Sequence, residues 1–192
     1  MNIHKAVLWE QVNSGIKPTI QCTDIETINI ILNTNIYTQK IILHDDELLL
    51  IKKYIPTQDN YLNKDCYSSI HGIMHTTRVM FYSLLISKVL GINYELPIFI
   101  ASIHDISRNN DNGDLEHGKR AAEYFASNIN TLYKEFLYQK ELIYFCLENH
   151  NLSQQVPDVL DTKYLYLSIL KTADALDRFR LPKIKWWPDA NI

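Results

Sequence analysis

Six candidate metal ligands follow one another along the chain in the order His75, His104, Asp105, His117, His150 and Asp174. Imidazole nitrogens and carboxylate oxygens hold first-row divalent cations while leaving positions open for water and substrate. His71 stands four residues before His75 and Arg78 three after it, so on a helix all three share a face. A histidine pair at that spacing is also the geometry of metal-binding helices. The adjacent His104-Asp105 closes the apolar run IFIASI. An anion there is costly unless it is paired or coordinated. A metal supplies that compensation, and one carboxylate can bridge two cations, as two-metal hydrolases require to polarise a water and clamp a phosphoryl group.

The elements that must position these residues read as helices. Five glycines and six prolines in 192 residues favour long helices over many-stranded sheets. DDELLLIKKYI has Asp45 and Asp46 near its start and Lys52-Lys53 near its end, as the macrodipole prefers. His44-Asp45 is therefore read as a helix start rather than as a second ligand pair. Pro56 and the polar run TQDNYLNKD end that helix. Ser69 is the expected cap of the next, on which Ile70, Ile73, Met74, Thr77, Phe81, Leu84 and Leu85 recur at three- and four-residue steps, with Gly91 as its stop. Pro97 suits the first turn of PIFIASIHDIS, which is apolar enough to be central. After the loop RNNDNGD, residues 115–130 and 131–148 read as two further helices, and YLYLSILKTADALDRF as the last. The expectation is an all-α bundle in residues 66–192, with residues 1–65 as a small mixed extension packed on it. Within that extension TINIILNTNIYTQKIILH reads equally as a short strand pair or as helices.

Around the candidate ligands the chain resembles the HD-domain superfamily of metal-dependent helical enzymes. HGIMHTTRV is similar to the first-helix motif, whose ligand falls on His75. HDISRNNDNGDLEHGKRAAEYF is similar to a bacterial subgroup with an HD, Arg, Asn-Asp, Asp, His-Gly, Arg-Ala-Ala progression, and carries His104, Asp105, Arg108 and His117. ILKTADALDRFR is similar to the last metal-binding helix, with its aspartate at Asp174, and CLENHN puts His150 in the remaining slot. The likeness spans residues 68–181.

The resemblance implies an HD-domain helical bundle and two divalent metal ions, drawn from manganese, magnesium, iron, cobalt and nickel. His75, His104, Asp105 and Asp174 form the minimal set, and His117 and His150 extend it across a bridging Asp105. The implied activity is that of a phosphohydrolase or phosphodiesterase. Its substrate would be a small phosphoester, a nucleotide or nucleotide-derived signal, attacked by hydroxide generated at the metal. Arg108 falls where binuclear members carry a phosphate-contacting lysine, and an arginine keeps the charge and adds a bidentate fork. In this reading Asp105, Arg108, His71 and Lys171 are catalytic, while Arg78, Arg108, Lys119 and Arg120 bind substrate. His71 is either a proton donor to the leaving oxygen or a residue supporting His75. Two rivals stay open: a di-iron oxygenase built on the same six-ligand order, and a non-catalytic nucleotide-binding module that signals through a partner.

Composition bounds the setting. A hydrophobic content of 46% and a charged content of 21% are those of a globular protein. A formal charge of −3 gives no global attraction to nucleic acid or an anionic membrane. No long apolar leader or transmembrane run is evident, and Cys22, Cys66 and Cys146 have no CxxC spacing. Reduced thiols in a cytoplasmic protein are the expectation. The basic, aromatic segment RFRLPKIKWWPDANI is read as packing on the bundle, with contact to a nucleotide base, to the second subunit of a homodimer or to nucleic acid left open.

Overall fold

The apolar periodicity resolves into α1 (Asp45–Tyr54), α2 (Ile73–Leu90), α3 (Glu95–Ile103), α4 (His117–Asn128), α5 (Lys140–Asn149) and α6 (Thr162–Asp177), with 3₁₀ turns at Gln58–Asn60, Lys64–Ser68 and Lys134–Gln139. The computed structural model describes residues 43–111, 113–153 and 161–177, and no strand occurs among them. The all-α class expected from the sequence is the class observed. Nearly all of the isoleucine- and asparagine-rich stretch and the whole tryptophan-bearing tail lie outside the described residues. Past Leu43 the described residues belong to one unit, His44–Arg180. Its helix α1 packs on α2 and α3.

Local chemistry sets the helix ends. The backbone N–H of His44 donates to the Glu47 carboxylate at 2.9 Å, a capping interaction that makes His44-Asp45 a helix start. Glu47 is itself buried and ion-paired to Lys88 of α2, which ties the two helices together. Ser69 does not cap α2. Its hydroxyl is engaged by the Cys66 carbonyl at 2.7 Å and Asp111 Oδ1 at 2.9 Å, and the helix begins three residues later, after Gly72. Gly91 ends α2 in the left-handed region, with φ of 67°, as anticipated.

α3 is the central element. Residues 97–108 are buried without a break, and α3 touches α1, α2, α5 and α6. Phe99 lies flat on Phe136 with ring centroids 3.9 Å apart, and Tyr54, Phe125 and Tyr133 pack around it. That stack explains why residues 131–148 are not one helix. Phe136 sits in the 3₁₀ turn Lys134–Gln139, and the α-helix starts only at Lys140. Cys66 and Cys146 are buried thiols, and burial pushes Cys146 up to about 12. Both are inert packing groups.

The approach of α4 to α5 brings two of the candidate ligands together. A Cβ on Gly118 would lie 2.5 Å from Asn151 Oδ1 and 2.7 Å from the Leu147 carbonyl oxygen. Only glycine lets the start of α4 sit against the end of α5, where His117 and His150 meet. Gly118→Ala should therefore destabilise the protein by about 1–3 kcal/mol through overpacking against fixed backbone. Intrinsic helix propensity alone would instead favour alanine by about 1 kcal/mol. Urea unfolding separates the two, and a stabilised variant would show that α4 and α5 are not held at this distance.

Candidate metal centre

Helix ends from five elements converge on one buried point. His75 lies in the first turn of α2, His104 and Asp105 follow the last turn of α3, His117 opens α4, His150 follows α5, and Asp174 is in the last turn of α6. All six sequence-predicted ligands are thus brought together. Five are buried, and the Asp174 side chain is 24% exposed. Their donor atoms form two groups that share Asp105: His75, His104 and Asp105, and Asp105, His117 and His150.

The two oxygens of Asp105 face different partners. Oδ2 is 3.5 Å from His75 Nε2 and 3.6 Å from His104 Nε2. Oδ1 is 3.1 Å from His117 Nε2 and 3.6 Å from His150 Nε2. Asp174 joins the first lobe, with Oδ1 3.3 Å from His75 Nε2. The facing imidazole nitrogens are 3.3 Å apart in the first lobe and 2.9 Å apart in the second. Ligands bound to one cation at about 2.0–2.2 Å, with angles near 90–110°, are themselves about 2.8–3.6 Å apart. The spacing of these donors fits two coordination shells joined through one carboxylate.

The ring orientations fit the same use. His104 Nδ1 donates to the Ala101 carbonyl at 2.7 Å, His150 Nδ1 to the Leu147 carbonyl at 2.7 Å, and His117 Nδ1 to the Asp114 carbonyl. His75 Nδ1 donates to Asp177 Oδ2 at 2.6 Å. Each ring is held at Nδ1 and turns Nε2 inward, the arrangement by which outer partners orient metal-binding histidines. When neutral, His117 and His150 then bring two lone pairs within 2.9 Å, which repel unless a cation lies between them.

Electrostatics make the same demand. Asp105, Asp174 and Asp177 sit at the C-terminal ends of α3 and α6. The macrodipole there disfavours an anion by about 0.3–1 kcal/mol even at a surface. Burial alone would raise the Asp105 carboxyl, but His104, His117, His150 and His75 hold it well below the usual carboxylate range. Asp174 is held low in the same way, by His75 and then His104. Burial also opposes protonation of His75, yet Asp105, Asp174 and Asp177 outweigh it and push its pKa up to about 11. His104 is pushed down to about 4 by burial and remains a neutral donor.

The other predicted residues take varied places. Arg108 is buried beside the second lobe, with Nη1 3.4 Å from Asp105 Oδ1 and 3.2 Å from His117 Nε2. His71 packs edge-on to the His75 ring, and its Nδ1 is 2.9 Å from Asp111 Oδ1. Arg78 is held by Asp177, with Nε 2.5 Å from Oδ1. Arg120 bonds the Asp114 carboxylate and, at 3.0 Å, the Ser107 carbonyl, so it braces the loop after α3. Lys171 donates to the Leu152 carbonyl, just beyond His150. Lys119 is exposed on α4.

Sequence reasoning missed two carboxylates. Asp177 stands one turn after Asp174 and is 1% exposed, so helical spacing would have put both on one face. Asp111 receives the Ser69 hydroxyl, the backbone N–H groups of Ile70 and His71, and the His71 ring. No local pattern signals that contact, because forty residues separate its partners.

Two outcomes are expected. The metal-free protein should be most stable near pH 6.5. The raised pKa of His75 adds stability that is fully present below 6.5 and lost as pH climbs toward about 11. His104, with its folded pKa lowered to about 4, costs stability as pH falls below 6.5, because the unfolded chain takes the proton first. Thermal melts in chelator across that range test both arms, and a Tm still rising at alkaline pH would contradict them. Separately, Asp177→Asn should weaken metal binding by about 10–100-fold through loss of the carboxylate behind His75. Titration calorimetry with Mn²⁺ measures it, and an unchanged affinity would remove Asp177 from the site. No protein-family model, curated protein or solved structure matches this chain, so the functional reading rests on these residues and their geometry.

Proposed function

We propose that this unit is a dinuclear metal-dependent phosphohydrolase of the HD-domain type, acting on a small phosphoester. The observation that carries the proposal is the divided Asp105 carboxylate, one oxygen toward His75 and His104 and the other toward His117 and His150. A lone structural ion or a buried salt bridge does not call for two histidine pairs on opposite oxygens of one aspartate.

His75, His104, Asp105 and Asp174 would hold one ion, and Asp105, His117 and His150 the second. Bound ions supply Lewis acidity toward a phosphoryl oxygen and lower the pKa of the attacking water. The chain's own groups do the rest. Arg108, buried against the second lobe, offers its guanidinium to the charge on the phosphoryl group. Asp111 is an ionised carboxylate, so it accepts from His71 Nδ1 and leaves Nε2 as the acceptor nitrogen. Burial lowers the pKa of His71 and keeps the ring neutral, which suits it to take a proton from water. Arg78 acts through Asp177 and His75 rather than on substrate. The choice of a nucleotide as substrate follows from the family resemblance alone.

The test is elemental mass spectrometry on protein purified without chelator, followed by phosphate release from a nucleotide panel. About two ions per chain with turnover is expected, and Asp105→Ala should abolish both together. Asp45→Ala, at the start of α1, should leave both intact. Iron with oxygen uptake and no phosphate release would favour the oxygenase reading. Absence of any bound ion after metal is added back would end the enzyme proposal.

A further inference from the structure

We propose that Arg108 keeps the two lobes of the centre unequal: its guanidinium competes with a cation for Asp105 Oδ1 and His117 Nε2, so the second lobe fills only at higher metal concentration or when a phosphate draws the guanidinium away. This rests on the proposed dinuclear metal centre and assigns its two lobes different affinities.

The donor sets already differ. The first lobe has two imidazoles and two carboxylates, His75, His104, Asp105 and Asp174, with the Asp177 carboxylate behind His75. The second lobe has two imidazoles and the remaining oxygen of Asp105. His117 and His150 are backed by neutral peptide carbonyls rather than by a carboxylate. A dication therefore meets more negative charge in the first lobe.

Arg108 widens the gap. Its side chain is 8% exposed, and Nη1 lies 3.4 Å from Asp105 Oδ1 and 3.2 Å from His117 Nε2. With Nδ1 donating to the Asp114 carbonyl, a neutral His117 has one lone pair left, at Nε2. That lone pair can accept an N–H from Arg108 or bind a metal, and cannot do both. The guanidinium also repels a dication across a few ångströms of partly buried space, where screening is weak. On the side of the first lobe, the guanidinium of Arg78 is taken up by Asp177. A phosphate that engages the Arg108 fork releases His117 for the metal. By linkage, phosphate and the second ion then raise one another's affinity by the same factor.

The test is calorimetric titration of Mn²⁺ into the chelator-stripped full chain, with and without inorganic phosphate. The wild type should show one tight binding event and a second at least about tenfold weaker, and phosphate should tighten the second. Arg108→Gln should tighten the second event by about tenfold or more, and the first by much less, and should abolish the phosphate effect. Arg108→Lys keeps the charge and should keep the inequality, which separates competition from a general disturbance of the fold. A second event that is unchanged or weaker in Arg108→Gln overturns the proposal, as does an equal phosphate effect in both proteins. If the wild type binds one ion and Arg108→Gln binds two, the proposal gains its strongest support. If neither binds any ion, the metal-centre reading fails with it; if both bind two equal ions, that reading survives and only the role of Arg108 is lost.

Discussion

Asp105 is an ionised carboxylate with 3% exposure, just past the negative end of a helix that is buried from Pro97 onward. Left alone, such a group would destabilise the fold by several kcal/mol or take up a proton. Four other helices converge around it: α2 brings His75, α4 and α5 their facing histidines, and α6 the Asp174 carboxylate, 3.3 Å from His75 Nε2. Gly118 permits the approach of α4 to α5, and Glu47 with Lys88 locks α1 to α2. The bundle is therefore organised around a charge that the apolar core by itself would reject.

The capacity to hold a cation lies in the orientation of the rings as much as in their identity. Three histidines use the carbonyl three residues earlier to fix Nδ1, a local contact available wherever a helix or turn exposes its last carbonyls. His75 lies near a helix N-terminus, where carbonyls are satisfied within the helix, and it takes Asp177 from α6 instead. Asp105 and Asp174, and then Asp177, outweigh burial and push the pKa of His75 up to about 11, so a proton would compete there with a bound cation.

The convergence of the candidate ligands was legible because their chemistry is specific: an HD pair closing an apolar run has few other stable uses. Helix existence was legible from periodicity, and boundaries were not where tertiary contacts took over. Ser69 left the cap position for Asp111, and Phe136 left the helix for the face of Phe99. The roles of the cations were the least legible. Arg78, Arg120 and Lys171 stand close to ligands in sequence, yet each is occupied by a carboxylate or carbonyl that steadies the frame. A basic residue beside a ligand carries no signal of whether its charge is directed outward to substrate or inward to the scaffold.

The same ambiguity limits what six ligands can say about reaction class. Imidazole and carboxylate shells of this kind serve hydrolytic and oxidative metals alike, so the discrimination must come from groups that bind no metal. Two such groups touch the ligand cluster from outside the shell: Arg108 beside Asp105 and His117, and the Asp111-held ring of His71 beside His75. A guanidinium and a neutral imidazole are what an anionic substrate and an attacking water require. Oxygen activation at iron has no corresponding need for a buried cation that competes for a ligand's lone pair. The case for phosphoryl chemistry therefore rests on Arg108 and His71 more than on the six candidate ligands.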